Sequence, residues 1–156
     1  MTKTKDMPQS LSQIYIHIIF STKYREPTID DEISNELHAY IGGTCKAMDC
    51  EPIKVGGYYD HIHIICKFSK KIALMKLLEE VKKNSSKWMK TKGEQYAHFY
   101  WQDGYAAFSV NPAEVDIVVD YIARQKEHHS KKSFQEECRL FFKKYKIDYD
   151  ERYVWD

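Results

Sequence analysis

The order in which the apolar period changes along this chain constrains its fold more than any single residue does. Residues 13–20 alternate Ile14, Ile16 and Ile18 against Tyr15 and His17, the two-residue period of a half-buried strand. Asp30 or Asp31 can cap a helix running to about Met48, with Ile33, Leu37, Tyr40 and Ile41 on one face. Residues 50–55 read as a short strand, turned by Gly56-Gly57 into a second strand over 60–66, so the two form a hairpin. Ser69 can cap a helix over about 71–90, in which Leu74, Leu77, Leu78, Val81, Ser85 and Trp88 fall at helical spacing. Residues 98–110 read as one strand bulged at Asp103-Gly104, or as a tight hairpin. Asn111 and Pro112 open a helix to about His129. A last helix over about 133–145 carries Phe134, Cys138, Phe141 and Phe142. The order β-α-β-β-α-β, then helices, predicts an α+β ferredoxin-like split βαβ fold: an antiparallel sheet with helices on one face, plus C-terminal helices. That fold hosts many functions, so function has to be sought in side chains.

At 156 residues the chain suits one domain, with 1–10 and 146–156 as tails that dock or stay loose. No run approaches the ~18 apolar residues of a membrane span, and the polar start has no signal-peptide core. A cytoplasmic location is expected. The four cysteines form no Cys-x-x-Cys pair and suggest neither a zinc knuckle nor a disulfide framework, and Cys66, in a core strand, reads as a buried thiol. A net charge of +1 leaves a nucleic-acid partner open, and the lysines are unevenly spread. Lys76, Lys83, Lys87 and Lys90 share the helix face opposite the apolar stripe. They are either phosphate contacts or a solvated face. Lys23 and Arg25, in the loop after the first strand, are further phosphate candidates.

The chemistry gathers at two places. His61 and His63 alternate with Ile62, Ile64 and Cys66, so both imidazoles share one face of their strand. They are half of a metal site, or simply two polar residues on an open sheet face. The second place is Tyr121-Ile-Ala-Arg-Gln125-Lys-Glu-His128-His129. In a continuous helix from Pro112, the core stripe is Val115, Val118, Val119 and Ile122. Tyr121, Gln125 and His128 flank that stripe and look into the seam with the sheet, whereas Asp120, Arg124 and Glu127 face solvent. That phase discounts both carboxylates as ligands. His61, His63 and the Gln125 amide oxygen would form a three-ligand set with open positions. Such a set suits Mg²⁺ or Mn²⁺ acting as a Lewis acid on a phosphate oxygen. Structural zinc would want four closed ligands, and a two-histidine iron site a carboxylate. The Tyr121 phenol, with a pKa near ~10, needs activation before it can act as a nucleophile. Its attack on a phosphodiester would link the enzyme to one DNA end and free the other as a hydroxyl. The plainer alternative makes Tyr121 a boundary residue and Gln125 a surface amide. His128 is a candidate outer contact of the site, while His17 and His129 read as structural.

His61-Ile62-His63 read with Tyr121 and Gln125 resembles the single-tyrosine HUH transposases of the smallest bacterial insertion sequences, the IS-two-hundred-like group. The resemblance covers most of the chain. Residues 15–23 look like that family's first strand and loop, and Lys83-Asn84-Ser85-Ser86-Lys87-Trp88 like its basic helix. Residues 101–110 look like its late sheet segment, and Tyr121 to His129 like its nucleophile helix. The resemblance implies His61, His63 and Gln125 as metal ligands and Tyr121 as nucleophile. It also implies single-stranded DNA with hairpin ends as substrate and a homodimer, in which the tyrosine helix of some members completes the partner's site. Two other readings share the fold. One is a non-catalytic single-strand nucleic-acid-binding module, and the other a single-tyrosine nicking endonuclease acting on repeats. No motif suggests a membrane or a small-molecule substrate.

Overall fold

A computed structural model describes residues 8–156, so most of the expected N-terminal tail (1–7) lies outside the described residues. Four strands, β1 (Tyr15–Ser21), β2 (Glu51–Tyr58), β3 (His61–Lys67) and β4 (Ala106–Val110), form one sheet in the order β2-β3-β1-β4. Every neighbouring pair is antiparallel. With α1 (Ser34–Ala47) and α2 (Leu74–Lys90) between them, this is the expected split βαβ arrangement.

The strand period sorts side chains to two faces. Ile18, Phe20, Ile62 and Ile64 face α1 and α2, where they pack with Leu37, Ile41, Leu77, Val81 and Met89. Each such fully buried side chain contributes about 1.5–3 kcal/mol. The other face carries His17, Ile19, His61, His63 and Ile65, and the C-terminal helices cover it. Here α3 (Val115–Ala123) sets Ile122 against Ile65 and Val110, and α5 (Phe134–Lys144) sets Phe134, Cys138 and Phe142 against Ile19 and Phe108. Between them runs the short α4 (Gln125–His129). The histidine face therefore lies in a seam between sheet and helices. The tail after α5 also docks: Arg25 Nη1 donates to the Trp155 carbonyl at 3.1 Å, and Gly104 N to the Asp156 carbonyl at 2.8 Å. Among the described residues no helix is long and apolar enough to cross a membrane.

Three local expectations are corrected and one open choice is resolved. Gly56 and Gly57 do not form the hairpin turn. They lie inside β2, and the turn is Tyr59-Asp60. Both serve close approach instead: a Cβ on Gly56 would stand 2.8 Å from Ile122 Cγ2, and one on Gly57 would collide with the His61 carbonyl oxygen. Residues 98–110 are not a hairpin, because Trp101 bridges Thr22 and Ala106 pairs with Ile19 on the same strand. Six residues (101 to 106) thus run against four (19 to 22), which is the bulged alternative, with β4 itself confined to Ala106–Val110. Ser69 does not cap α2. Its hydroxyl accepts from Lys71 N, and the helix starts at Leu74. The long helix from Pro112 is broken at Arg124 (φ −107°, ψ 29°) into α3 and α4, with a 3₁₀ turn, Pro112–Glu114, ahead of α3. Asn111 caps that turn as expected, accepting from Ala113 N at 2.9 Å.

Gly56→Ala tests the close approach of α3. The new methyl meets a β-branched side chain and, at 3.2 Å, the Ile122 carbonyl oxygen, so α3 has to move. The expected cost is about 1–3 kcal/mol, a fall in Tm of roughly 2–4 °C per kcal/mol at this size. A thermal melt unchanged from the parent would contradict it.

Candidate metal and nucleophile site

Register places the two imidazoles. Ile19 pairs with His63 and Ser21 with His61, so both rings stand on the helix-covered face, fully buried. Each ring is fixed by its Nδ1. Asp60 Oδ1 lies 2.7 Å from His61 Nδ1, and His17 Nε2 lies 2.8 Å from His63 Nδ1. Both Nε2 atoms are thereby aimed at the seam, as outer partners of ligand histidines commonly arrange. His17 is the satisfied strand residue that was expected, stacked on His63 with ring centroids 5.0 Å apart.

From the helices come three further groups. Gln125 Oε1 lies 2.9 Å from His61 Nε2. Glu137, on α5, brings Oε1 to 3.0 Å from His63 Nε2 and 3.5 Å from His61 Nε2. Its Oε2 accepts from Gln125 Nε2 at 3.3 Å and from the Tyr121 hydroxyl. Tyr121 and Gln125 thus reach one centre, although the helix between them is broken. The break tightens the chain, since Arg124 N donates to the Tyr121 carbonyl three residues back.

Two members of this cluster were not expected from the sequence. Glu137 was not weighed, although a charge between Phe134 and Cys138 on the apolar stripe of its helix was a visible signal. His129 read as structural, but its Nε2 lies 3.0 Å from Gln125 Oε1 and 3.3 Å from Glu137 Oε2. His129 lies inward, as its place near the core stripe implied, and packs against His61 and Tyr58. His128 touches none of the converging donors. It stacks on the Tyr121 ring at 4.4 Å and 25°. Asp120 is exposed and pairs with Arg124 at 2.8 Å, and Glu127 is exposed, as the helical phase predicted for both.

The electrostatics follow from burial and from one shared carboxylate. Burial alone would raise the Glu137 carboxyl, but His63, His129 and His61 outweigh it and hold the group well below the usual carboxylate range. Burial draws His63 below its ordinary value, with Glu137 opposing. Burial also works to lower His129, yet the Glu137 carboxylate lifts it above its usual value. The Tyr121 phenol is pushed far up, first by burial and then by the charge of Glu137. As it stands this phenol is a poor nucleophile, and local positive charge is what would activate it.

The donors suit a hard divalent cation. Two imidazole nitrogens, an amide oxygen and a carboxylate oxygen converge with little or no exposure. His61, His129 and Glu137 lie close enough to share one ion. A structural zinc site built on thiolates is not what these residues offer.

The lysines lie elsewhere. The buried side of α2 packs on the opposite face of the sheet, so its candidate lysines lie away from the histidine seam. Lys76 and Lys83 both pair with Glu80, at 3.2 and 3.1 Å. Lys90 donates to Ser86 Oγ and lies 4.1 Å from the Tyr100 ring centroid. Lys87 is exposed and has no ion pair among the described residues. Lys23 sits 3.8 Å from Asp103, and Arg25 holds the tail.

Comparison with known proteins adds three findings. A family model described as transposase IS200 like matches residues 10–125. Among solved structures the chain is similar to a candidate transposase from Deinococcus radiodurans R1. The identity is 18% and the TM-score 0.60, over 80% of this chain and 98% of that one. It is also similar to a REP-associated tyrosine transposase solved bound to a REP hairpin, at 14% identity and a TM-score of 0.57, over 81% of this chain and 74% of the other. At these identities the likeness speaks for the fold. No curated protein matches the chain.

Proposed function

From the premise that the chain belongs to the IS200-like transposase family, we propose that it cuts and rejoins single-stranded DNA through a covalent phosphotyrosine, using Tyr121 and a divalent ion. The observation that carries this reading is that the Tyr121 hydroxyl, His63 Nε2 and the Gln125 amide all bond one carboxylate. Nucleophile and metal donors therefore meet at one point.

His61, His63 and Gln125 would hold Mg²⁺ or Mn²⁺, which when bound polarises a phosphate oxygen and offsets the charge that develops there. Tyr121 Oη forms the new bond to phosphorus, and the bond from phosphorus to the departing strand breaks. The phenol proton, now hydrogen-bonded to Glu137, is lost to solvent, and the departing oxygen takes a proton from solvent to become a free hydroxyl end. His128 steadies the ring by stacking. Because the O–P bond to Tyr121 replaces the one it breaks, a hydroxyl end can later attack in reverse, which is strand transfer.

The donors are buried, so DNA has to displace part of α4 or α5 to reach them. A cleft of about 330 Å³ runs along Gln125, Arg124 and Lys126 against Gly56 and Gly57, and offers an approach. Lys87 and Lys90, with exposed Tyr100, suit a hairpin's phosphates and an unpaired base. Lys23 and Arg25, with Lys76 and Lys83, would join them once released from their present partners. A homodimer binding two hairpin ends completes the reading. The hairpin bound by the REP-associated relative supports a DNA hairpin as the partner.

Metal removal tests this reading. Single-stranded DNA spanning the gene's own flanks is mixed with protein and Mg²⁺ or Mn²⁺, then run on a denaturing gel. A slow protein–DNA band is expected. EDTA should abolish it, and excess Mn²⁺ should restore it. Cleavage that persists in EDTA would contradict the metal assignment.

A further inference from the structure

Glu137 lies beyond the 10–125 segment that matches the family. It is 2% exposed and sits on the stripe by which α5 packs, between Phe134 and Cys138. A buried carboxylate at such a position is expensive unless it is paired or coordinates a metal. An apolar residue there would pack without that cost.

The spacing of part of this cluster suits a shared ion, since the donor atoms of His61, His129 and Glu137 lie within reach of one another and Glu137 also approaches His63. Two donors each about 2.1 Å from one cation and at right angles to it stand about 3.0 Å apart. Glu137 Oε1 is 3.0 Å from His63 Nε2 and 3.5 Å from His61 Nε2, and Gln125 Oε1 is 2.9 Å from His61 Nε2. Two neutral imidazoles and a neutral amide would leave a doubly charged ion uncompensated in a buried seam. One carboxylate removes half of that charge.

We propose that Glu137 is an anionic ligand of the same metal, delivered by α5, so that binding the ion and docking α5 on the sheet are one coupled equilibrium. This rests on the metal reading given above. It changes that reading in two ways. The ligand set gains a charge, which favours hard divalent ions. The element that covers the site becomes part of the site, so metal strengthens the cover over the nucleophile.

Two measurements on the full chain test the coupling. Calorimetric titration with Mn²⁺ is made on the parent, on Glu137→Gln, on His63→Ala, and on Glu127→Gln as an exposed control. Hydrogen exchange of residues 134–144 is then followed in the parent with and without Mn²⁺. The expected result is at least about tenfold weaker binding in Glu137→Gln, parental affinity in Glu127→Gln, little or none in His63→Ala, and slower exchange of α5 when Mn²⁺ is present. Parental affinity in Glu137→Gln with binding lost in His63→Ala would overturn the proposal and leave the three-ligand reading standing. Faster exchange of α5 on adding Mn²⁺ would also overturn it, because the ion would then be displacing Glu137. The exchange result decides even if Glu137→Gln fails to fold. A parent that binds no Mn²⁺ would overturn both readings.

Discussion

Tyr121→Phe should leave a folded protein that binds its hairpin and does not cut DNA, with activity down roughly 10⁴-fold or more. Phenylalanine keeps the ring that stacks on His128 and removes only the oxygen. The structural cost is one hydrogen bond to a charged group, about 1.5–3 kcal/mol. It should fall toward the low end, because Glu137 keeps its contacts with His63 and Gln125. Circular dichroism and a melt should therefore stay near the parent while the covalent band disappears. Cleavage within a few-fold of the parent would remove Tyr121 from the chemistry. The binding-module reading predicts no loss of any kind.

His63→Ala is expected to be as damaging to cleavage and worse for stability. The substitution removes a proposed metal donor, takes the partner from His17 Nε2, and leaves Glu137 with one fewer hydrogen-bond partner in a buried seam. Breaking such a buried arrangement costs about 3–5 kcal/mol. His63→Gln, which fills more of the space, should recover part of the stability but not the cleavage. Hairpin binding, followed by fluorescence anisotropy in the absence of metal, should survive in both variants if the basic surfaces lie where α2 places them. Loss of cleavage together with loss of binding in His63→Gln would point to a collapsed fold and give no support to the metal role.

The sheet was legible because its signals are local. Alternation in 13–20 and 60–66 was enough to send His61 and His63 to one face and Ile62 and Ile64 to the other, and the structure keeps that division. The Gly56-Gly57 pair was misread because a glycine marks a turn and a close approach with the same letter. Only the arrival of Ile122 tells them apart. Helical phase carried Tyr121 and Gln125 correctly into the seam and Asp120 and Glu127 out of it. It also set His129 near the core stripe, but not its contacts with Gln125 and Glu137 beyond the break at Arg124, which no proline or glycine announces. Glu137 showed locally only as a charge on an apolar stripe; its role was not readable because its partners come from β3, α3 and α4, and α5 folds back over all of them. The lysines of α2 show the reverse limit. Their common face was readable, but the part taken up by Glu80 was not weighed.

The most direct test of the central claim is to map the covalent bond. Protein cross-linked to its own single-stranded ends in the presence of Mn²⁺ is digested with trypsin and nuclease, and the modified peptide is sequenced by mass spectrometry. A nucleotide phosphate on the peptide containing Tyr121, and on no other, is the predicted result. A phosphate on another tyrosine, such as the exposed Tyr24 or Tyr100, or cleaved DNA with no modified peptide at all, would contradict it.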